Sequence, residues 1–154
     1  MRKILILILL ACSLVVEADK WYIATTGSDT HGKGTLADPW LTLKHACDTV
    51  TGAAFVGDTI VVGAGSYNEA NECAIGVGVS IMGSGSATTI LNMTYRIATD
   101  FSAGFTHAAI LLSSATAGTE GNQSISHLTL DGGWGSGVDT STNAILVRYR
   151  SNVI

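Results

Sequence analysis

Arg148 and Arg150 stand two positions apart near the end of the chain. In an extended strand residues i and i+2 point the same way, so one outward face would carry both guanidinium groups. Paired N–H donors of that kind can grip a uronate carboxylate. The commoner role for two such residues is that of solvated surface arginines, and neither is assigned a catalytic part.

His127 and Asp131 follow the same logic on a strand and the turn after it. A straight strand would keep imidazole and carboxylate on one side, a pairing suited to acid and base work. The plainer reading is an outward histidine and a turn-forming aspartate before Gly132-Gly133. Trp134, inside Gly132-Gly133-Trp134-Gly135-Ser136-Gly137, offers an indole that could stack on a sugar ring or fold back as an apolar lid. These five residues are the candidate substrate contacts, and no catalytic set is named.

Other chemistry finds less support. His45 and His107 have no identifiable ligand partners, so no metal site is expected. Asp29, Asp38 and Asp58 fall in loops without the dense alternating carboxylates of a calcium loop, so calcium is unsupported and no cofactor is expected. Gly83-Ser84-Gly85 has no following lysine and reads as a turn rather than a phosphate loop. Asn92-Met93-Thr94 and Asn122-Gln123-Ser124 match the glycosylation triplet, which matters only in a host with that machinery.

The elements that must position these groups are mostly short strands. Lys20 to Ala24 is aromatic and β-branched, and Thr25 to Asp38 is a polar, glycine-bearing loop. Leu43, Ala46, Cys47 and Val50 fall at i, i+3, i+4 and i+7, which gathers them on one face of a helix. Thr42 is the natural N-cap, with Asp38-Pro39 an alternative start, and Gly52 lies near the end. Beyond it, Thr59–Val62, Val79–Met82, Thr88–Leu91, Ala108–Leu112, Ser124–Leu130 and Asn143–Tyr149 are β-rich runs separated by glycine, serine and asparagine. Val79 and Ile81 oppose Ser80, Leu128 and Leu130 oppose His127 and Thr129, and Ile145, Val147 and Tyr149 oppose Arg148 and Arg150, so each strand buries one face. Ile60, Ile81, Leu130 and Ile154 suggest a loose repeat of the strand centres, a pattern that suits a solenoid and also permits a sandwich.

Bulk properties narrow the class. Met1-Arg2-Lys3 followed by the apolar run Ile4 to Val16 has the form of a signal peptide, too short to span a bilayer. Val16-Glu17-Ala18 suggests cleavage before Asp19, giving a signal over 1–18 and one domain over 19–154. Leu9-Leu10-Ala11-Cys12 resembles a lipobox, which leaves a lipid-anchored surface protein as the minor alternative to secretion. The formal charge is −4, and losing the signal makes it one unit more negative, which argues against nucleic acid or an anionic membrane as the main partner. Low charge with 18 glycines and one proline fits a turn-rich β protein better than disorder. Cys47 and Cys73 could pair in an exported protein or be small buried apolar residues.

Four segments occur in a telling order: Trp21 to Asp29, Gly34 to Leu43, Gly57 to Val62 and Gly65 to Glu69. In that order the chain resembles the N-terminal opening of the pectate-lyase-like right-handed parallel β-helix superfamily, including a domain type of unknown function found there. The likeness covers about residues 20–92 well, and Asn122 to Gly133 more loosely. It implies an all-β solenoid in which Leu43, Ala46, Cys47 and Val50 face inward from a capping helix. The last residues, Arg150 to Ile154, read as the start of another strand, so a C-terminally truncated solenoid with a raw edge, prone to edge-to-edge self-association, is expected.

The resemblance implies a secreted carbohydrate-binding or polysaccharide-processing protein, with lyase or hydrolase chemistry lying in further coils and this chain inactive alone. The alternative is a non-catalytic surface or adhesion module, in which the solenoid displays loops such as Gly132 to Thr140.

Overall fold

The computed structural model describes residues 17–94, 108–132 and 143–154. Ile4 to Val16, Cys12, His107 and Trp134 lie outside the described residues. The described chain is built mainly of strands, in the order β1 (Lys20–Ile23), α1 (Leu43–Thr49), a 3-10 turn (Ala53–Phe55), β2 (Thr59–Val62), β3 (Gly65–Glu69), β4 (Cys73–Ala74), β5 (Ser80–Gly83), β6 (Thr89–Met93), β7 (Ala108–Ser113), β8 (Thr119–Gln123), β9 (Ile125–Ser126), β10 (Thr129–Asp131), β11 (Asn143–Arg148) and β12 (Arg150–Val153).

Among the described residues, every pairing between these strands is parallel. The sheets run β1-β2-β5-β9, β3-β6-β10, β4-β7-β11 and β8-β12. Sequence order follows sheet order: β2, β3 and β4 visit the first three sheets, β5 to β8 visit all four, and β9 to β12 visit all four again. Each pass therefore lays its strands beside those of the pass before, about 4.8 Å away. Antiparallel hairpins of the sandwich kind, which the spacing of strands alone permits, do not occur among these strand pairs.

Registration puts like side chains in columns. Ile60 pairs with Ile81 and Ile81 with Ile125, while Tyr67 pairs with Leu91 and Leu91 with Leu130. Ile60, Ile81 and Leu91 are wholly buried, and removing each such side chain from water contributes about 1.5–3 kcal/mol. The repeat suggested by strand centres is thus half right. Ile60 and Ile81 are neighbours, but Leu130 belongs to a different sheet and Ile154 follows β12, because the passes differ in length and Ile81 meets Ile125 instead.

The helix forms where the apolar spacing places it. Thr42 Oγ1 accepts the His45 N–H at 3.1 Å, and Leu43, Ala46, Cys47 and Val50 are all buried in the common core. Beside it, Trp21 and Trp40 stack with centroids 5.5 Å apart, and Phe55 meets Trp21 edge-on. Gly34, at φ 71°, lets the chain pass beneath Trp40, because a Cβ there would lie 2.7 Å from the indole ring. Cys47 and Cys73 form a disulfide with Cα atoms 5.9 Å apart, fastening α1 to β4.

At the opposite side of the stack, Ile145 and Val147 are 40% and 45% exposed although they lie in register with the wholly buried Ile110 and Leu112. The run over 124–130 is broken in two, and the run over 143–149 is one strand that stops at Arg148. His127 (φ 57°) separates β9 from β10, and Tyr149 (φ 61°) separates β11 from β12. No helix among the described residues is long and apolar enough to cross a membrane.

The disulfide closes a segment with a sequence separation of 26, a constraint on the unfolded chain worth about 3 kcal/mol. Replacing both cysteines by serine is expected to lower unfolding stability by about that amount, read from the denaturant midpoint under oxidising conditions. A midpoint equal to that of the parent chain would show that α1 needs no covalent tie.

Candidate functional site

The residues singled out in the sequence are dispersed by the fold. Arg148 and Arg150 do not share a face, because the left-handed Tyr149 between them turns the chain. Arg148 is exposed, with its guanidinium 4.9 Å from the Tyr149 ring centroid. Arg150 is half-buried and bonded to the protein itself: Nε donates to Ser114 Oγ at 3.0 Å, one terminal nitrogen to Gln123 Oε1 at 2.9 Å, and the other to the Ser113 carbonyl at 2.6 Å. Desolvation pulls its pKa below the ordinary arginine value. The expected paired grip on a carboxylate is therefore corrected to one exposed arginine and one that ties the third and fourth sheets together.

His127 and Asp131 are both exposed, but the chain turns at His127, so the straight-strand argument that aligned them fails. The turn is tight. Gly83 packs so close beneath it that a Cβ would fall 2.1 Å from the His127 carbonyl oxygen. Asp131 ends β10 and pairs with Asn92 of β6. Trp134 lies outside the described residues.

That last pairing exposes a site that motif reading misses. Asn68, Asn92 and Asp131 occupy successive strands of the β3-β6-β10 sheet in direct register. Alternation turns Tyr67, Leu91 and Leu130 toward the core and this row toward solvent. Asn92 Nδ2 donates to Asn68 Oδ1 at 3.0 Å and to Ser66 Oγ at 2.8 Å. Thr129, one alternation away from Asp131, is exposed and donates to the Ser86 carbonyl at 2.7 Å. The result is an ordered strip of amide, hydroxyl and carboxylate groups at the spacing of the strands. It can hydrogen-bond a polyhydroxylated ligand, since amides both donate and accept in a plane. Its only sequence signal is polar residues at outward positions of three separated strands, which cannot be recognised before the pairing is known.

The buried polar groups serve the scaffold. Asp58 accepts from the Asp19 N–H at 2.9 Å and from Trp21 Nε1 at 2.8 Å, fixing the aromatic stack. Gln123 Nε2 donates to the Gly76 and Val79 carbonyls, and its oxygen receives Arg150. Asp29 accepts from Leu41 N, Thr42 N and Thr42 Oγ1. Glu69, 1% exposed, reaches from β3 to accept Leu43 N at 2.7 Å and Lys44 N at 3.3 Å. Two carboxylates from different parts of the chain thus hold the start of α1. Among the described residues no cluster of His, Cys, Asp and Glu could hold a metal ion. Comparison of the chain with protein-family models, curated proteins and solved structures gives no significant match.

Burial pushes the Glu69 carboxyl above its ordinary value, outweighing the two backbone N–H groups that favour the ion, and Asp29 adds to the rise. A carboxyl raised in the fold binds its proton more tightly there than in the unfolded chain. Its contribution to stability is present in full below the unfolded value and is lost as pH rises through the folded value. Glu69→Gln is expected to flatten the stability profile just above the ordinary carboxylate range, measured by urea midpoints from acid to neutral pH. A parent and variant that run parallel across that interval would show that Glu69 does not titrate with folding.

Proposed function

We propose that this chain is an exported right-handed parallel β-helix protein that binds carbohydrate on the outer face of its β3-β6-β10 sheet. Support for the β-helix comes from passes that visit the sheets in a constant order beneath a helical cap. Right-handedness follows the rule that governs parallel crossovers in nearly all proteins. Support for export comes from the charged start and apolar run of the first residues, together with a disulfide of the kind that persists in oxidising compartments.

The observation that carries the binding reading is the in-register row Asn68, Asn92 and Asp131. Saccharide hydroxyls both donate and accept hydrogen bonds, and a rigid sheet holds complementary groups at fixed intervals without an ordering cost on binding. Amides and hydroxyls neither take up nor release protons near neutral pH. Glycoside hydrolysis of the usual kind needs two carboxylates flanking the scissile bond, and the described outward row holds one, Asp131. Binding without turnover, as in a surface or adhesion module, is therefore favoured over lyase or hydrolase chemistry for this face.

Co-sedimentation of the purified chain with a panel of insoluble neutral and acidic polysaccharides tests the proposal. Binding to at least one polymer is expected, and the double substitution Asn68→Ala with Asn92→Ala is expected to weaken it about tenfold, from two hydrogen bonds at about 0.5–1.5 kcal/mol each. Circular dichroism matching the parent chain would locate that loss at the face. Absence of binding, or binding indifferent to the two substitutions, would refute the assignment.

A further inference from the structure

The start of the described chain meets a buried carboxylate, and the place of that contact bears on how the chain is processed, an inference that rests on the export reading above. Val16-Glu17-Ala18 sets the peptidase cut at the Ala18–Asp19 bond. Glu17 and Ala18 are exposed, and strand pairing begins just beyond that bond. Lys20 is in register with Thr59, and the Asp19 carbonyl accepts the Thr59 N–H at 2.9 Å. The Asp19 N–H itself donates to Asp58 Oδ1 at 2.9 Å. Asp58 is 3% exposed, and its other carboxylate oxygen accepts Trp21 Nε1 at 2.8 Å. Its backbone is fixed as well, with the N–H on the Phe55 carbonyl and the carbonyl on the Ser80 N–H.

We propose that Asp58 is a socket for the N-terminus that processing creates. Cleavage before Asp19 turns the donor at Asp58 Oδ1 from a peptide N–H into an α-ammonium group, and the pair locks β1 onto β2. Hydrolysis adds hydroxyl to the Ala18 carbonyl carbon and hydrogen to the Asp19 nitrogen, which then takes a further proton from water. That nitrogen already lies at hydrogen-bond distance, so the pair needs no shift of the strand. The position of the cut matters, since a terminus one residue away is displaced by about 3.3 Å along an extended chain. An ammonium–carboxylate bond is stronger than one between neutral partners. Asp19 is exposed, so water screens the pair, and unit charges about 4 Å apart at the dielectric of water are favoured about fivefold. Trp21, bonded to the same carboxylate and stacked on Trp40, extends the lock to the aromatic cluster beside α1.

Export of the full chain from a secreting host, followed by N-terminal sequencing, tests the cut, and the product is expected to begin at Asp19. Acetylating the α-amine of that product removes the charge and keeps an N–H. The folded-to-unfolded ratio, read from urea midpoints, is expected to fall about fivefold in the parent and to stay unchanged in Asp58→Asn. Acetylation rates give a second reading that does not require D58N to fold. In the folded parent the α-amine is expected to react about fivefold more slowly than in urea, because pairing favours its protonated form. A product beginning at another residue, an acetylation effect equal in parent and D58N, or an α-amine equally reactive folded and unfolded would overturn the socket and leave export standing. A chain retained inside the cells with residues 1–18 intact would sink the export reading, and this inference with it.

Discussion

Parallel strand pairing from one pass of the chain to the next is the interaction on which the structure depends. The backbone groups of β2 are satisfied on one side by β1 and on the other by β5, and those of β6 by β3 and β10. An unpaired buried N–H or carbonyl is costly, so each pass is fixed by the one before it. Registration then decides where every side chain goes. Ile60, Ile81 and Ile125 form one inward column because their backbones are partners, and Asn68, Asn92 and Asp131 form one outward row for the same reason. Core and candidate site are two consequences of a single ladder.

Polar side chains also bond from one pass to the next. Asn122 (φ 48°) and Asn152 (φ 52°) both take the left-handed conformation, and the side-chain amide of Asn152 donates to that of Asn122 across the β8 and β12 passes. Arg150 and Gln123 join the carbonyls of Gly76, Val79 and Ser113. The start of α1 is a comparable case, because the first N–H groups of a helix lack intrahelical acceptors. Thr42, Glu69 and Asp29 supply them, and the disulfide from Cys47 to Cys73 completes the attachment. The burial of Glu69 is thus offset by a fixed start for α1.

Local pattern made part of this legible. The i, i+3, i+4, i+7 spacing from Leu43 located the helix and its buried face, and β2, β5, β7 and β11 were visible as β-branched runs. The strands β3 and β8 were not, because Gly-Ser-Tyr-Asn-Glu and Thr-Glu-Gly-Asn-Gln contain too few apolar residues. Their inward positions include Glu69 and Gln123, polar groups whose burial is offset by partners distant in sequence. The breaks at His127 and Tyr149 were hidden for another reason. Neither is glycine, so residue type gives no sign of the positive φ that each adopts.

The candidate site was invisible for the reason that makes it plausible as a site. Motif reading looks for residues close in sequence, so it paired Arg148 with Arg150 and His127 with Asp131, and in both cases a left-handed residue at the corner undid the pairing. In a stack of parallel passes, neighbours on the surface are separated by a whole turn of the chain. Asn68 meets Asn92 and Asn92 meets Asp131 across stretches of sequence of unequal length. A loop can therefore lengthen without disturbing the row, provided the register survives. Binding groups on such a face are constrained by their backbone partners and not by the intervening sequence, which ties any ligand that spans several strands to the integrity of the ladder itself.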